Sequence, residues 1–272
     1  MASILNNVSA LGASRQLGIT NMGLQQTIER LTTGRRINRA SDDAAGLGIS
    51  NKLGADIRIA SQGKRNANDG ISYLQVADSV LDEVTNLLTR ASELAEQAKT
   101  GTISDTNRTN LDAEFQNIIK TIADIGQSTK FNGSAVFTSG ALNVSVGGFT
   151  AISITVGTIS SSSTAALGLT AGTDSLSSAS NASSVAAKIV TAIESLSTVR
   201  ASLGDSQQQL NAVSNALGIQ VENFTAAYSQ IRDANIADEI VNLTKFQILN
   251  QSGTSALGQA NQSQQQILAL LR

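Results

Sequence analysis

Ile189, Leu196, Leu203, Leu210, Leu217, Phe224 and Ile231 fall at intervals of seven. Apolar residues repeating at that interval draw a seam along an α-helix, not along a strand. If unbroken, the helix spans about 64 Å at 1.5 Å per residue. Its second seam is mixed, holding Ile193, Arg200, Gln207, Ser214, Val221, Tyr228 and Asn235. Polar seam residues lower stability but fix register and partner.

Two further helical stretches precede it. Over 44–99, Ala77, Val84, Ala91 and Ala98 fill one heptad position, with Val80, Leu87 and Leu94 in the other. The segment from Gly101 to Asp105 makes a turn, after which Leu111, Phe115, Ile118, Ile122 and Ile125 continue at spacings of four and three. These two helices are expected to pair antiparallel. Aromatic residues are 3% of the chain and hydrophobic residues 41%, so the core is built of Leu, Ile, Val and Ala. Such a core suits helices whose axes approach closely. The expected fold is therefore mainly α, a bundle of long, coiled-coil-like helices.

One region differs. Residues 133–184 are rich in Ser, Thr, Gly and Ala, and read as an exposed segment. Within it Leu142, Val144 and Val146 alternate with polar residues, as do Ile152, Ile154 and Val156, with Gly147-Gly148 between. That pattern predicts a β-hairpin with one apolar face against the helices. The run Ser160 to Thr164, continuing to Ser184, reads as loop.

The ends of the chain are nearly uncharged. From Met1 to Ile28 the only charge is Arg15, and from Phe246 to Leu271 there is none. Ile4, Val8, Leu11, Leu24, Ile28 and Leu31 lie near one helical face. Ile236, Ile240, Leu243 and Phe246 carry the same periodicity toward Leu249, Leu257, Leu268 and Leu271. Glycines within these stretches each cost about 1 kcal/mol against Ala in a helix. Isolated helices are marginal in water. Both ends are expected to be loose in the free chain and to order when copies pack together, which describes an assembling subunit. Gly34 ends the first helix, and Arg35, Arg36, Ile37, Asn38, Arg39, Ala40, Ser41, Asp42 and Asp43 form a joint in which Ser41 or Asp42 suits an N-cap.

Composition removes whole classes of chemistry. Cys and His are absent, leaving no thiolate, no imidazole base and none of the commonest zinc ligands. No cofactor or metal is expected, and the chain is not expected to be an enzyme. The net charge of −2 offers no field for nucleic acid or an anionic membrane surface. No stretch reaches the roughly 20 apolar residues of a membrane span. The start lacks the basic and apolar regions of a secretory signal, which taken alone predicts the cytosol. Ser61-Gln62-Gly63-Lys64 and Lys99-Thr100-Gly101 match fragments of the penicillin-recognising hydrolase pattern, but its Ser-Asp-Asn element is missing. Asp42-Asp43 suits a helix N-terminus better than a metal pair, and Arg35, Arg36 and Arg39 suit a salt-bridged joint better than a phosphate site.

Ile28 to Gly34 followed by Arg36-Ile37-Asn38, then Asp42 to Gly46, and then Arg65 to Ser72, resemble the N-terminal blocks of the bacterial flagellins. Ile248-Leu249, Gly253-Thr254-Ser255, Ala260-Asn261-Gln262 and Leu270-Leu271-Arg272 resemble their C-terminal blocks. Only about residues 135–185 lack a match, so the chain looks like a minimal flagellin without large outer domains. The resemblance implies paired N- and C-terminal helices, 1–40 and 236–272, as an inner-tube domain disordered in the monomer. It implies an outer-tube domain, 41–235, of bundle and hairpin, with Gly34, Arg36, Asn38, Asp42 and Asp43 at the joint between them. It implies a helical homopolymer in an extracellular flagellum, exported unfolded by the flagellar type III apparatus. The partners it implies are an export chaperone, filament cap and hook-associated proteins, and the flagellin-sensing Toll-like receptor at Arg90, Leu94 and Glu114. A hook-filament junction protein is the alternative.

Overall fold

Nine elements follow one another in the computed structural model, which describes residues 7–159 and 167–270, and the side chains of all but the last four. They are α1 (Val8–Thr33), α2 (Ala44–Lys99), α3 (Asp105–Ser128), β1 (Lys130–Phe131), β2 (Ser134–Ala135), β3 (Leu142–Val144), β4 (Ile152–Ile154), α4 (Ala179–Arg232) and α5 (Ile236–Leu270). They form two compact units. One holds residues 58–221, and the other holds the chain up to 57 together with everything from 222 on. The boundary lies inside α2 and α4 and not in a loop.

In the 58–221 unit, α2 and α3 run antiparallel around a tight turn. Arg108 closes that turn: Nε donates to the Ala98 carbonyl at 3.0 Å and Nη2 to the Thr100 carbonyl at 3.1 Å, satisfying carbonyls at the end of α2. The α4 heptads are buried as expected at Ile189, Leu196, Leu203, Leu210 and Leu217. The mixed seam beside them faces α2. Arg200 donates to Asp78 at 2.9 Å and to Asp82 at 2.8 Å, and the Ser214 hydroxyl bonds Asn68. These pairings set α4 antiparallel to α2 and fix its register. The hydrogen bond that Arg200 donates to Asp78 is the main cause that raises its guanidinium pKa above the ordinary value.

The buried arc of α2 differs from the sequence expectation. Leu74, Ala77, Leu81, Val84, Leu88, Ala91, Ala95 and Ala98 are buried at strict spacings of three and four, whereas Val80 and Leu87 are only partly covered. The same offset appears in α3, where Phe115, Ile119 and Ile122 are buried and Ile118 and Ile125 flank them.

The expected hairpin is β3–β4, antiparallel with Asn143 opposite Ser153. Val144, Val146, Ile154 and Val156 enter the core, as the alternation requires. A Cβ on Gly63 of α2 would lie 2.7 Å from the Gly147 nitrogen, so the hairpin end docks where the helix offers no side chain. A second hairpin, β1–β2, was not expected. Its turn is Asn132-Gly133, both at positive φ, 50° and 82°. That dipeptide is the commonest two-residue hairpin signal.

The expectation of an exposed segment over 133–184 needs correction. Val136, Phe137, Leu169 and Leu176 are buried in the core, and α4 already begins at Ala179. The carboxylate of Asp174 explains how so polar a loop packs: it accepts from the Thr170 amide at 2.7 Å and pairs with Lys188 at 2.6 Å. The run Ser160 to Thr164 lies outside the described residues.

Candidate assembly interface

α1 and α5 pair antiparallel. The Asn7 amide donates to the Ala260 carbonyl at 3.0 Å, Asn21 meets Asn250, and Arg30 meets Glu239 at 3.3 Å. Among the described residues the buried or half-buried positions of α5 are Asn242 and a heptad row of Glu239, Leu243, Phe246, Asn250, Gly253, Leu257, Ala260 and Gln264. Those of α1 include Leu17, Thr20, Leu24, Thr27 and Leu31. The seam is thus mixed, with leucines and Phe246 alternating with small or polar residues. Thr20 and Thr27 bond back to the carbonyls of Gln16 and Gly23 in their own helix, so their hydroxyls need no partner across the pair. At Gly23 an added Cβ would lie 2.6 Å from the Phe246 ring, and this close approach seats the aromatic ring against α1.

Many large apolar residues face outward, while Leu17, Leu24, Leu31, Leu243, Phe246 and Leu257 are half-buried in the seam. Val8 is 71% exposed and Val241 66%, and Leu11, Ile19, Met22 and Ile28 on α1 and Ile236, Ile240, Ile248 and Leu249 on α5 are exposed as well. Along α1 the positions Val8, Leu11, Ile19 and Met22 form one stripe with Arg15. Covering one such side chain is worth about 1.5–3 kcal/mol. Ile240, Val241, Ile248 and Leu249 line one shallow groove, and exposed apolar residues gathered in this way mark a surface that packs on another.

The sequence-derived assembly residues therefore divide in two. Val8, Leu11, Ile28, Ile240 and Leu249 belong to the exposed set, and Leu24, Leu31, Leu243, Phe246 and Leu257 are half-buried. Ile4, Leu271 and the side chain of Leu268 lie outside the described residues. Ile19, Met22, Val241 and Ile248 were missed, although Val241 and Ile248 stand seven apart and the α1 stripe repeats at three and four.

The turn between α1 and α2 lies within this same unit, so it is not a joint between the two compact units as expected. Its backbone is tied to the α4–α5 connection. Gly34, left-handed at φ 67°, accepts from the Ala234 amide at 3.0 Å. The Arg36 amide donates to the Arg232 carbonyl at 2.7 Å, and its guanidinium donates to the Ile231 carbonyl. Asn38 bonds Glu29 through its side-chain amide. Asp43, not Ser41 or Asp42, caps α2, accepting from the Gly46 amide at 2.8 Å. Asp42 instead holds the loop, with Oδ2 accepting from the amides of Asn38 and Arg39 at 3.0 and 2.9 Å.

The amides of Arg39 and Asn38, then the charges of Arg30 and Arg39, hold the Asp42 carboxyl below its usual range. A depressed folded pKa contributes stability that is complete above the unfolded value, about 3.9, and is lost as pH falls through the folded value. Thermal melts of the full chain from pH 5 to pH 2 are expected to show part of the acid loss vanish in Asp42→Asn. An unchanged acid slope in that variant would remove Asp42 from the account.

The three residues assigned to receptor contact by resemblance belong to the 58–221 unit and are not alike. Arg90 and Glu114 are exposed and bonded to each other at 2.8 Å, with Glu93 also on Arg90. Leu94 is 1% exposed and part of the core, which corrects its assignment as a surface contact. Among the described residues no helix is long and apolar enough to cross a membrane, and no three His, Cys, Asp or Glu residues gather as metal ligands. Ser61 and Lys64 sit on α2, and Lys99 ends it.

Comparison with known proteins gives this surface a context. Residues 4–141 match the bacterial flagellin N-terminal helical region, and residues 186–271 match the bacterial flagellin C-terminal helical region. The chain is 37% identical over 287 residues to flagellin FlaB1 of Treponema pallidum, covering 99% of both chains. It is 37% identical over 284 residues to the flagellar filament 33 kDa core protein of Treponema phagedenis, again over 99% of both. The crystal structure of Bacillus cereus flagellin is similar over 60% of this chain and 94% of its own, at 26% identity and a TM-score of 0.49. Two helical regions matched over most of the length, with two short hairpins supplying the strands described between α3 and α4, make the chain a minimal member of the bacterial flagellin family.

Proposed function

We propose that this chain is the structural subunit of a bacterial flagellar filament, and that it polymerises with copies of itself through the outward apolar stripe of α1 and α5. The observation that carries this reading is that Val8, Leu11, Ile19, Met22, Val241 and Ile248 of the terminal pair stay exposed, while the seam between its helices mixes half-buried leucines with Thr20, Thr27, Asn250 and Gly253. A two-helix pair with that pattern is marginal alone and gains its burial from neighbours. Likeness along the whole length to a filament core protein supports a filament subunit over a hook-filament junction protein.

In this reading the termini are loose in the free chain and order on assembly. The entropy of ordering them is offset only where neighbours supply burial, which suppresses growth away from an existing end. Repeated head-to-tail contacts then give an open helical polymer. Export through the flagellar type III apparatus to an extracellular flagellum fits a chain with no cysteine to cross-link it. An export chaperone would cover the Ile240, Val241 and Ile248 surface beforehand, and filament cap and hook-associated proteins would meet the polymer's ends. Contact with the flagellin-sensing Toll-like receptor would fall to Arg90 and Glu114, whose mutual ion pair must open first.

Electron microscopy after seeding separates this from a non-assembling role. The full chain is expected to form uniform filaments, and Val241→Asp combined with Leu11→Asp is expected to form none while keeping its helical circular dichroism. Filaments of normal yield from the double variant would overturn the assigned surface.

A further inference from the structure

A groove of about 430 Å³ lies between α2 and the two hairpins, wholly within the 58–221 unit. Its walls are held in place. The Tyr73 hydroxyl donates to the Val136 carbonyl at 2.9 Å, and the Phe131 ring stands edge-to-face on Tyr73 at 5.7 Å. The Asn66 amide ties α2 to the second hairpin through the Ser145 carbonyl at 2.8 Å.

Other polar groups lining the groove are not used by the fold. Among the described residues, the side chains of Asp69, Asn132 and Ser134 make no hydrogen bond and no ion pair within the chain. Asp69 accepts only, while Asn132 and Ser134 both donate and accept. All three are exposed, and a molecule that met all of them would donate to Asp69 and donate or accept at Asn132 and Ser134, as a set of hydroxyls does. No Lys or Arg lines the groove, and the Asp69 carboxylate disfavours an anion. Phe131 and the partly exposed Leu142 provide apolar surface for C–H groups. The volume falls in the range of small-molecule sites.

We propose that this groove binds a neutral sugar ring, its hydroxyls on Asp69, Asn132 and Ser134 and its C–H face against Phe131 and Leu142. The site is independent of the filament reading, because it needs no second copy. The test is NMR titration of the full-length monomer with the methyl glycosides of glucose, galactose and N-acetylglucosamine, beside glucuronate and methylammonium. Saturable shifts at Asp69, Asn132 and Ser134 with at least one neutral sugar are expected. Asp69→Ala is expected to weaken that sugar at least tenfold and Ser134→Ala severalfold, with Glu83→Ala, outside the groove, unchanged. No saturable shift with any of the three sugars would overturn the proposal. So would undiminished binding by Asp69→Ala, or tighter binding of glucuronate or methylammonium than of the sugars. Filament formation, read separately by microscopy, is unaffected by any of these outcomes.

Discussion

A chain ending at Phe246 is expected to yield no filaments at any concentration at which the full chain assembles, while residues 58–221 keep their fold. The deletion removes the α5 half of the pairings near Asn7, Leu17 and Asn21, and it removes Ile248 and Leu249 from the outward stripe. What remains of the terminal unit is α1 against a short stub of α5. A 26-residue helix with glycines at 12, 18 and 23 is marginal without its partner. The buried core of the other unit draws on no residue beyond Leu217. Microscopy and sedimentation read the first outcome, and amide exchange protection in α3 and the first half of α4 reads the second. Filaments from the truncated chain would end the case for the terminal pair. Loss of protection in α3 would show that the two units do not fold separately.

Leu88→Ala is expected to cost the 58–221 unit about 3 kcal/mol, the usual result of emptying a fully buried leucine site. Leu87→Ala, one residue earlier, is expected to cost about 1 kcal/mol, because its side chain is only partly covered. Urea denaturation with unchanged slopes would measure both. Equal losses would mean that Leu87 is as much a core residue as Leu88, and the buried arc described for α2 would be wrong.

That one-residue offset shows what was legible in the sequence. α4 presents a single file of Leu and Ile every seven residues, and its burial followed directly. α2 carries apolar residues on a broader arc because its neighbours cover it from α3, α4 and the hairpins, so Val80 and Leu87 competed with Leu81 and Leu88 for the seam, while Leu94 and Ala95 are both buried. Periodicity alone does not rank positions within such an arc; the placement of the neighbours does.

In the terminal pair the difficulty was of another kind. Hydrophobicity pointed to Val8, Leu11 and Ile28 as one face, and they do share exposure, but the contact between the helices runs through Thr20, Thr27, Asn250 and Gly253. Leu24, Leu31, Leu243, Phe246 and Leu257 of that seam were legible from periodicity, but its small and polar positions carry no apolar signature to find. The β1–β2 hairpin had a signature, Asn132-Gly133, and was missed because its strands are only two residues long. The groove beside it was not legible, since Asp69, Asn132 and Ser134 meet only after both the helix and the hairpin are in place.

The stripe on α5 has a chemical consequence. Beyond Lys245 no residue of the helix carries an ionisable side chain. Lys245 borders Ile248 and Leu249, and past it the helix holds nothing for protons to titrate and nothing for dissolved ions to screen. Sensitivity to acidity is concentrated elsewhere, in the Asp42 loop, where two amides converge on one carboxylate. A polymer built on such helices would feel low pH at its Asp42 loops, and salt only where Arg15, Lys245 and the Arg30–Glu239 pair border the apolar surface.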